Sequence, residues 1–321
     1  MNGALPRIDY LSHPAYGGLL QPDPEAGAQA RAVLEPLIER MAGLEDQRAQ
    51  RFGYDYGAVN QQGEELAQRG VTQVRLTDEM MQPVHAAAQP MIGAMQARIA
   101  ETRAAGRPIH FKTVEQVLSQ EEHAELWTAV DRFLSETSVY DTVAAFFRAP
   151  KARINGMALF VNPPSQEWAT RLFRDVKIET PPTAGFHIDS NGKFYIKGIL
   201  HLSDVGPEQG PTGVVPGSHL WSQGSRERVI RRAFDRSPLL ARSAKMRQAF
   251  ISLPEEMQVK AEFGGDMTPD APDALALLDQ EVRAVGPKGL LTLFDPDAVH
   301  RGGNVRSGER RVLLVTMGPE A

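Results

Sequence analysis

Residues 185–202 read Gly185-Phe186-His187-Ile188-Asp189-Ser190-Asn191-Gly192-Lys193-Phe194-Tyr195-Ile196-Lys197-Gly198-Ile199-Leu200-His201-Leu202. Two short apolar or alternating runs flank a polar, glycine-containing break, the pattern of antiparallel strands joined by turns. The same character recurs at residues 156–161, 213–215, 289–294 and 311–317, each bounded by Gly, Pro, Asn or Asp. Short strands separated in this way predict a sandwich or barrel.

Upstream of Pro150 the periodicity is different. Residues 1–27 are rich in Pro and Gly and read as an extended arm. From 28 to about 51 the positions Val33, Leu34, Leu37, Ile38, Met41 and Leu44 recur at helical spacing. A β-like run, 71–76, comes after Gly70, and Asp78 reads as the N-cap of a helix over the Met80 to Met95 region, with Pro83 and Pro90 as complications. Residues 113–147 read as two further helices, with Leu126, Val130, Phe133 and Leu134 on one face. The expectation is one domain over 1–321: a mostly helical part (1–150), barrel strands in 151–224 and 284–321, and an insertion of helix and loop at 225–283.

Composition narrows the chemistry. The 321 residues are 42% hydrophobic and 23% charged with net charge −5, so no global basic field draws the chain to nucleic acid or anionic membrane. No long basic stripe with interleaved aromatics is present either, which argues against a nucleic-acid substrate. No apolar run reaches membrane-span length, and Met1 to Gly18 lack the basic-then-apolar pattern of a signal peptide. A cytoplasmic protein acting on a small molecule is expected. There are no cysteines, which excludes disulfides, thiolate metal sites and a cysteine nucleophile. Any metal must be held by imidazole and carboxylate, a donor set that suits Fe(II), Mn(II) or Zn(II).

His187 and Asp189 lie two apart on a predicted strand and therefore face one side. A third ligand is offered by His300, within Phe294-Asp295-Pro296-Asp297-Ala298-Val299-His300-Arg301-Gly302-Gly303-Asn304. Two imidazoles and one carboxylate leave open positions on Fe(II) for a chelating co-substrate and O₂. His219 is an alternative ligand. His13, His85, His110, His123 and His201 show no ligand spacing and read as surface or packing residues.

Three stretches then carry a resemblance. They are Phe186-His187-Ile188-Asp189 with Lys197-Gly198-Ile199-Leu200-His201-Leu202-Ser203-Asp204-Val205, Gly210-Pro211-Thr212-Gly213-Val214-Val215-Pro216-Gly217-Ser218-His219, and His300-Arg301-Gly302-Gly303-Asn304 with Arg310-Arg311. In order and spacing the chain resembles the phytanoyl-CoA dioxygenase family of Fe(II)/2-oxoglutarate oxygenases over about residues 155–317. A weaker echo at 66–71 is similar to that family's first helix and strand.

The resemblance implies a mainly β protein with α elements, a double-stranded β-helix (jelly roll, cupin-like barrel) flanked by N-terminal helices and the helical insertion. It implies Fe(II) on His187, Asp189 and His300, with 2-oxoglutarate and O₂ as co-substrates. Their consumption yields succinate and CO₂ and an oxidant that hydroxylates an unactivated C–H bond. Related halogenases replace the metal carboxylate with a small residue, so Asp189 favours hydroxylation.

The far carboxylate of 2-oxoglutarate needs a cation, and arginine's planar fork suits it. Counting from His300 as in the resembled family places Arg311 there, whereas Asn304, one residue early, favours Arg310. Adjacent strand residues face opposite ways, so one of the two points inward; Arg311 is taken first. Lys197 and Thr212 are further co-substrate candidates.

The Pro216-Gly217-Ser218-His219 segment reads as a tight turn, with Ser218 as the cap of the next few residues. Eight Arg and Lys between Arg226 and Arg247 make either a lid for an anionic substrate or a solvated helix face. Tyr54, Tyr56, Trp168 and Phe173 are candidates for the entrance or for packing. Two other functions compete: a Zn or Mn hydrolase or isomerase on the same barrel, against which the Arg310–Arg311 pair argues, and a non-enzymatic ligand-binding barrel.

Overall fold

Strand β9 (Arg310–Pro319) is flanked along most of its length on both sides, by β3 (Ala152–Asn162) and by β4 (Ile196–His201), and it organises the larger of two antiparallel sheets. The computed structural model describes residues 61–107, 109, 111–147, 149–164, 186, 187, 189, 195–220 and 277–320. The N-terminal arm, the helix expected at 28–51, Tyr54, Tyr56, Trp168, Phe173 and the insertion up to residue 276 lie outside these.

The chain divides into two compact units. One comprises Met1–Gly53, Ala169–Lys193 and Leu220–Leu275; the other comprises Tyr54–Trp168, Phe194–His219 and Ala276–Ala321. Of the first, only Phe186, His187, Asp189 and Leu220 are among the described residues.

The second unit runs α1 (Gln61–Arg69), β1 (Val71–Arg75), α2 (Asp78–Ala104), α3 (Phe111–Val114), β2 (Glu115–Leu118), α4 (Ala124–Glu136) and α5 (Val139–Phe146), then β3 and β4. After these come β5 (Gly213–Val214), a 3₁₀ turn (Ser218–Leu220), β6 (Val282–Arg283), β7 (Leu290–Phe294), β8 (His300–Arg301) and β9. The larger sheet has the order β1-β7-β4-β9-β3-β2 and the smaller β6-β5-β8. This is a jelly roll with helices against one sheet, as the sequence implied.

Register sorts the large sheet into two faces. Leu313, Val315 and Met317 align with Met157, Leu159, Ile196, Leu200, Leu291 and Leu293 through the strand pairings. All are 3% exposed or less. Helices α2 and α5 contact β3, and α5 also contacts β9. The opposite face carries Arg310, Val312 and Thr316 with Asn162, Lys197, Ile199, His201, Thr292 and Phe294. It looks onto the small sheet, for Val71, Ile199 and Phe294 cluster with Val214 of β5 and with Ala298.

Three expectations change. The N-cap of α2 is Thr77, whose hydroxyl accepts from Met80 N at 3.3 Å, so Asp78 is the first helical residue. The helix then continues through Pro83 and Pro90 to Ala104. An interior proline costs about 3 kcal/mol. Met81, Val84, Ile92, Met95 and Ile99 are all buried along one stripe, and at roughly 1.5–3 kcal/mol each they outweigh both prolines.

Residues Glu115–Leu118 form an edge strand rather than helix, paired with Met157–Phe160. Here a free sheet edge overrode local spacing, and four residues are too few for a helical period to declare itself. The end of the insertion likewise contains strand β6, because Val282 and Arg283 complete a ladder on β5.

Gly70 joins α1 to β1 at φ +70°, and a Cβ there would lie 2.6 Å from His219 Nδ1. Gly70→Ala should therefore lower stability by at least about 1–3 kcal/mol, measured by denaturant unfolding. A loss of less than about 0.5 kcal/mol, the scatter of an unstrained surface change, would contradict this packing.

Candidate metal centre

His300 opens β8, and the turn before it is fixed by hydrogen bonds to its backbone. Asp295 Oδ1 accepts from Asp297 N at 2.9 Å, and Ala298 N donates to Asp295 O at 2.8 Å. Val299 is held on both sides: its N–H donates to Ser218 Oγ at 2.7 Å and its carbonyl accepts from Val215 N at 2.8 Å. The His300 ring, 3% exposed, lies against Phe294 with centroids 4.8 Å apart.

Its Nδ1–H donates to Ala298 O at 2.8 Å. That bond sets the tautomer and leaves the lone pair on Nε2, the arrangement typical of a metal-binding imidazole.

His187 Nε2 and Asp189 Oδ1 stand 3.8 Å apart, both half-buried. One donor atom from each of His187, Asp189 and His300 lies within 4.8 Å of the other two. The chemistry of the set fits Fe(II): two imidazoles, one carboxylate and no thiolate.

A family model for phytanoyl-CoA dioxygenase (PhyH) matches residues 76–313. The chain belongs to the PhyH family. It is therefore a dioxygenase in kind, of the class that uses iron and 2-oxoglutarate. Comparison with curated proteins gave no match.

Among solved structures, EvdMO1 is 16% identical with a TM-score of 0.44, covering 81% of this PhyH-family chain and only half of that one. AviO1 from Streptomyces viridochromogenes Tue57 is 16% identical with a TM-score of 0.43, covering 81% of this chain and 94% of that one. EctD from S. alaskensis with bound Fe is 14% identical with a TM-score of 0.45, covering 83% of this chain and 79% of that one. No described helix is long and apolar enough to cross a membrane.

The remaining candidates of this PhyH chain separate by strand face. Arg310 pairs with Asn162 on the inner face, and its Nε and Nη2 donate to Asn162 Oδ1 at 3.2 and 3.1 Å. Its Nη1 donates to the carbonyls of Gly210 and Gly302, tying together the two turns that lead into β5 and out of β8. Burial lowers its pKa to about 10, which still leaves a cation at neutral pH.

Arg311 lies on the helix-covered face and donates to Glu309 Oε1 at 2.6 Å. Glu309 Oε1 also accepts from Gln96 of α2 at 2.8 Å. The strand count from His300 that put Arg311 first thus selects the face turned away from the barrel interior. Lys197 is on the inner face with Nζ 5.9 Å above the Phe294 ring. Thr212 is 7% exposed, and its carbonyl accepts from Ala284 N at 2.8 Å.

His219 is not among the converging donors: its Nε2–H donates to Ala67 O at 2.9 Å, on α1. Ser218 does not cap the following turn but donates to Val215 O at 2.6 Å.

Sequence reading missed Asn162, which orients Arg310, and Glu281. Glu281, with its side chain fully buried, accepts from Arg301 Nε at 2.7 Å and Nη2 at 2.5 Å and from Arg283 Nε at 2.5 Å. Charged residues two apart, Glu281-Val282-Arg283, before a buried ladder were the available signal.

His201, expected as a surface or packing residue, is 1% exposed on the inner face, and its Nδ1 has no hydrogen-bond partner among the described residues. Burial lowers its pKa to about 4; a hydrogen bond to the Gly286 backbone and the charge of Asp204 oppose this, while Arg310 and Arg75 add to it.

A folded-state pKa below the unfolded value of about 6.5 means that the unfolded chain takes up the proton first. Stability from this group is complete above about pH 6.5 and is lost as pH falls towards 4. Between about pH 7 and 4.5 the metal-free wild type should lose about 2–3 kcal/mol more than His201→Phe. Urea unfolding at the two pH values measures this, and equal losses would show that His201 is not buried neutral.

Proposed function

We propose that the protein is an Fe(II)/2-oxoglutarate-dependent hydroxylase of a small molecule, with iron on His187, Asp189 and His300. The observation that carries this reading is the convergence of those three donor atoms within 4.8 Å in a chain of the PhyH family. When bound, iron and 2-oxoglutarate supply an oxidant able to break an unactivated C–H bond, releasing succinate and CO₂.

The chain's own residues have defined tasks. His300, its tautomer set by Ala298, presents Nε2. Asp189 supplies the carboxylate whose presence favours hydroxylation over halide binding. Arg310 receives the far carboxylate of 2-oxoglutarate, since it is the member of the pair on the inner face. Its fork is aimed by Asn162 and by the two turn carbonyls, so little side-chain entropy remains to be lost when a carboxylate binds. Lys197 and Thr212 line the same face and the neighbouring turn as secondary contacts. The apolar cluster of Val71, Ile199, Val214, Phe294 and Ala298 keeps water from this side of the interior.

Anaerobic titration of the apo-protein with Fe(II) and 2-oxoglutarate should produce the visible charge-transfer band of the iron chelate. Bound metal without the band would favour a Zn or Mn hydrolase or isomerase, and no metal binding would favour a ligand-binding barrel. In the same assay, Arg310→Lys should raise the 2-oxoglutarate concentration at half-saturation by about 30-fold or more, equivalent to about 2 kcal/mol. Arg311→Ala should leave it within about 3-fold. The reverse ranking would return the co-substrate to Arg311.

A further inference from the structure

The Pro216-Gly217-Ser218-His219 segment supplies none of the three converging donor atoms, yet its hydrogen bonds end one residue short of His300. Ser218 Oγ sits in a closed circuit. It accepts from Val299 N at 2.7 Å and donates to Val215 O at 2.6 Å, while Val215 N donates to Val299 O at 2.8 Å. The serine is 3% exposed and Val299 is 1% exposed. Neither backbone group of Val299 can therefore turn to water.

The segment is itself anchored to α1. Gly217 N donates to Arg69 O at 2.8 Å, and His219 Nε2–H donates to Ala67 O at 2.9 Å with the ring pressed against Gly70. Gly70 O in turn accepts from Asp295 N at 2.9 Å, at the start of the turn that delivers His300. The turn is thus clamped at its first residue by Gly70 and at its penultimate one by Ser218.

We propose that Ser218 is a positioning residue for His300: its hydroxyl fixes the Val299 peptide, and so the direction in which the imidazole leaves the strand, before any metal binds. The idea rests on His300 being a metal ligand, the reading proposed for this centre. Without Ser218 the Val299 N–H would be buried without a partner, which proteins rarely tolerate. The turn could relieve that penalty only by moving, and the ligand would move with it.

Two readouts on the full chain test this. Titration with Co(II) alone, monitored by its d–d absorption, should give a dissociation constant raised about 10–100-fold in Ser218→Ala, the range expected when an outer-shell partner of a ligand is lost. Val143→Ala, a fully buried position on α5, should lower stability without changing Co(II) affinity by more than about 2-fold. Amide exchange in the metal-free wild type should show Val299 among the slowest amides, and Ser218→Ala should speed it.

A Ser218→Ala protein that binds Co(II) like wild type would overturn the proposal. So would a Val143→Ala protein that weakens Co(II) equally, or fast Val299 exchange in wild type, which decides the matter even if Ser218→Ala does not fold. Wild type that binds no Co(II) would instead overturn the metal reading, and this proposal with it.

Discussion

Alternation along β9 is the constraint on which the rest of the described fold depends. Because β9 lies between β3 and β4, its side chains have only two destinations, under the helices or into the interior. Leu313, Val315 and Met317 take the first and are all buried. Arg310 and Thr316 take the second, beside Asn162 and Lys197. A slip of one residue would turn Arg310 to the helix-covered face and Leu313, Val315 and Met317 towards the small sheet. The burial of the apolar face therefore holds the arginine in place, and the polarity of the interior results from hydrophobic packing on the far side of the sheet.

This division explains what could and could not be read in the sequence. Strands β3, β4, β7 and β9 were legible because each is a short apolar run between turn residues, and His187, Asp189 and His300, singled out by donor type and motif, are brought together. The choice between Arg310 and Arg311 was not legible by counting from His300, because the count crosses a turn of variable length. The face that each arginine takes follows from register to Asn162 and Val161, and register is a long-range property. Strand β2 was missed for a related reason. Glu115–Leu118 has only Leu118 buried, and its pairing with Met157–Phe160 is invisible in four residues. The N-cap differed by one residue because Thr77 and Asp78 are both good caps, and the choice belongs to the backbone entering from β1.

The motif around Ser218 shows a different limit. Its residue types suggested a turn with a serine cap, which is what local chemistry permits. Its hydroxyl instead serves Val299, 81 residues further on. A serine in a turn offers one donor and two acceptor lone pairs, and sequence cannot say whether those go to the next helix or across the barrel. Burial decides it: at 3% exposure the hydroxyl must be paired within the protein, and the Val215 carbonyl and the Val299 amide are what the ladder between β5 and β8 leaves within reach.

The smaller sheet restrains the same histidine from the other side. His300 and Arg301 are adjacent on β8 and so face opposite ways, the imidazole inward and the guanidinium outward. Opposite Arg301 on β5 is Gly213, and a Cβ there would collide with the Glu281 carboxylate. The glycine is required for space, since its φ is not in the left-handed region. That space lets Glu281 lie flat across the ladder and accept from Arg301 on one flank and Arg283 on the other. Two cations on the outer strands, β6 and β8, would otherwise repel each other across a three-stranded sheet too short to hold its register by hydrogen bonds alone. Glu281, whose carboxylate is buried, therefore ties β8 to β6 across β5 from outside, as Ser218 fixes β8 from the turn. The direction of the His300 ring is what remains when both restraints are satisfied.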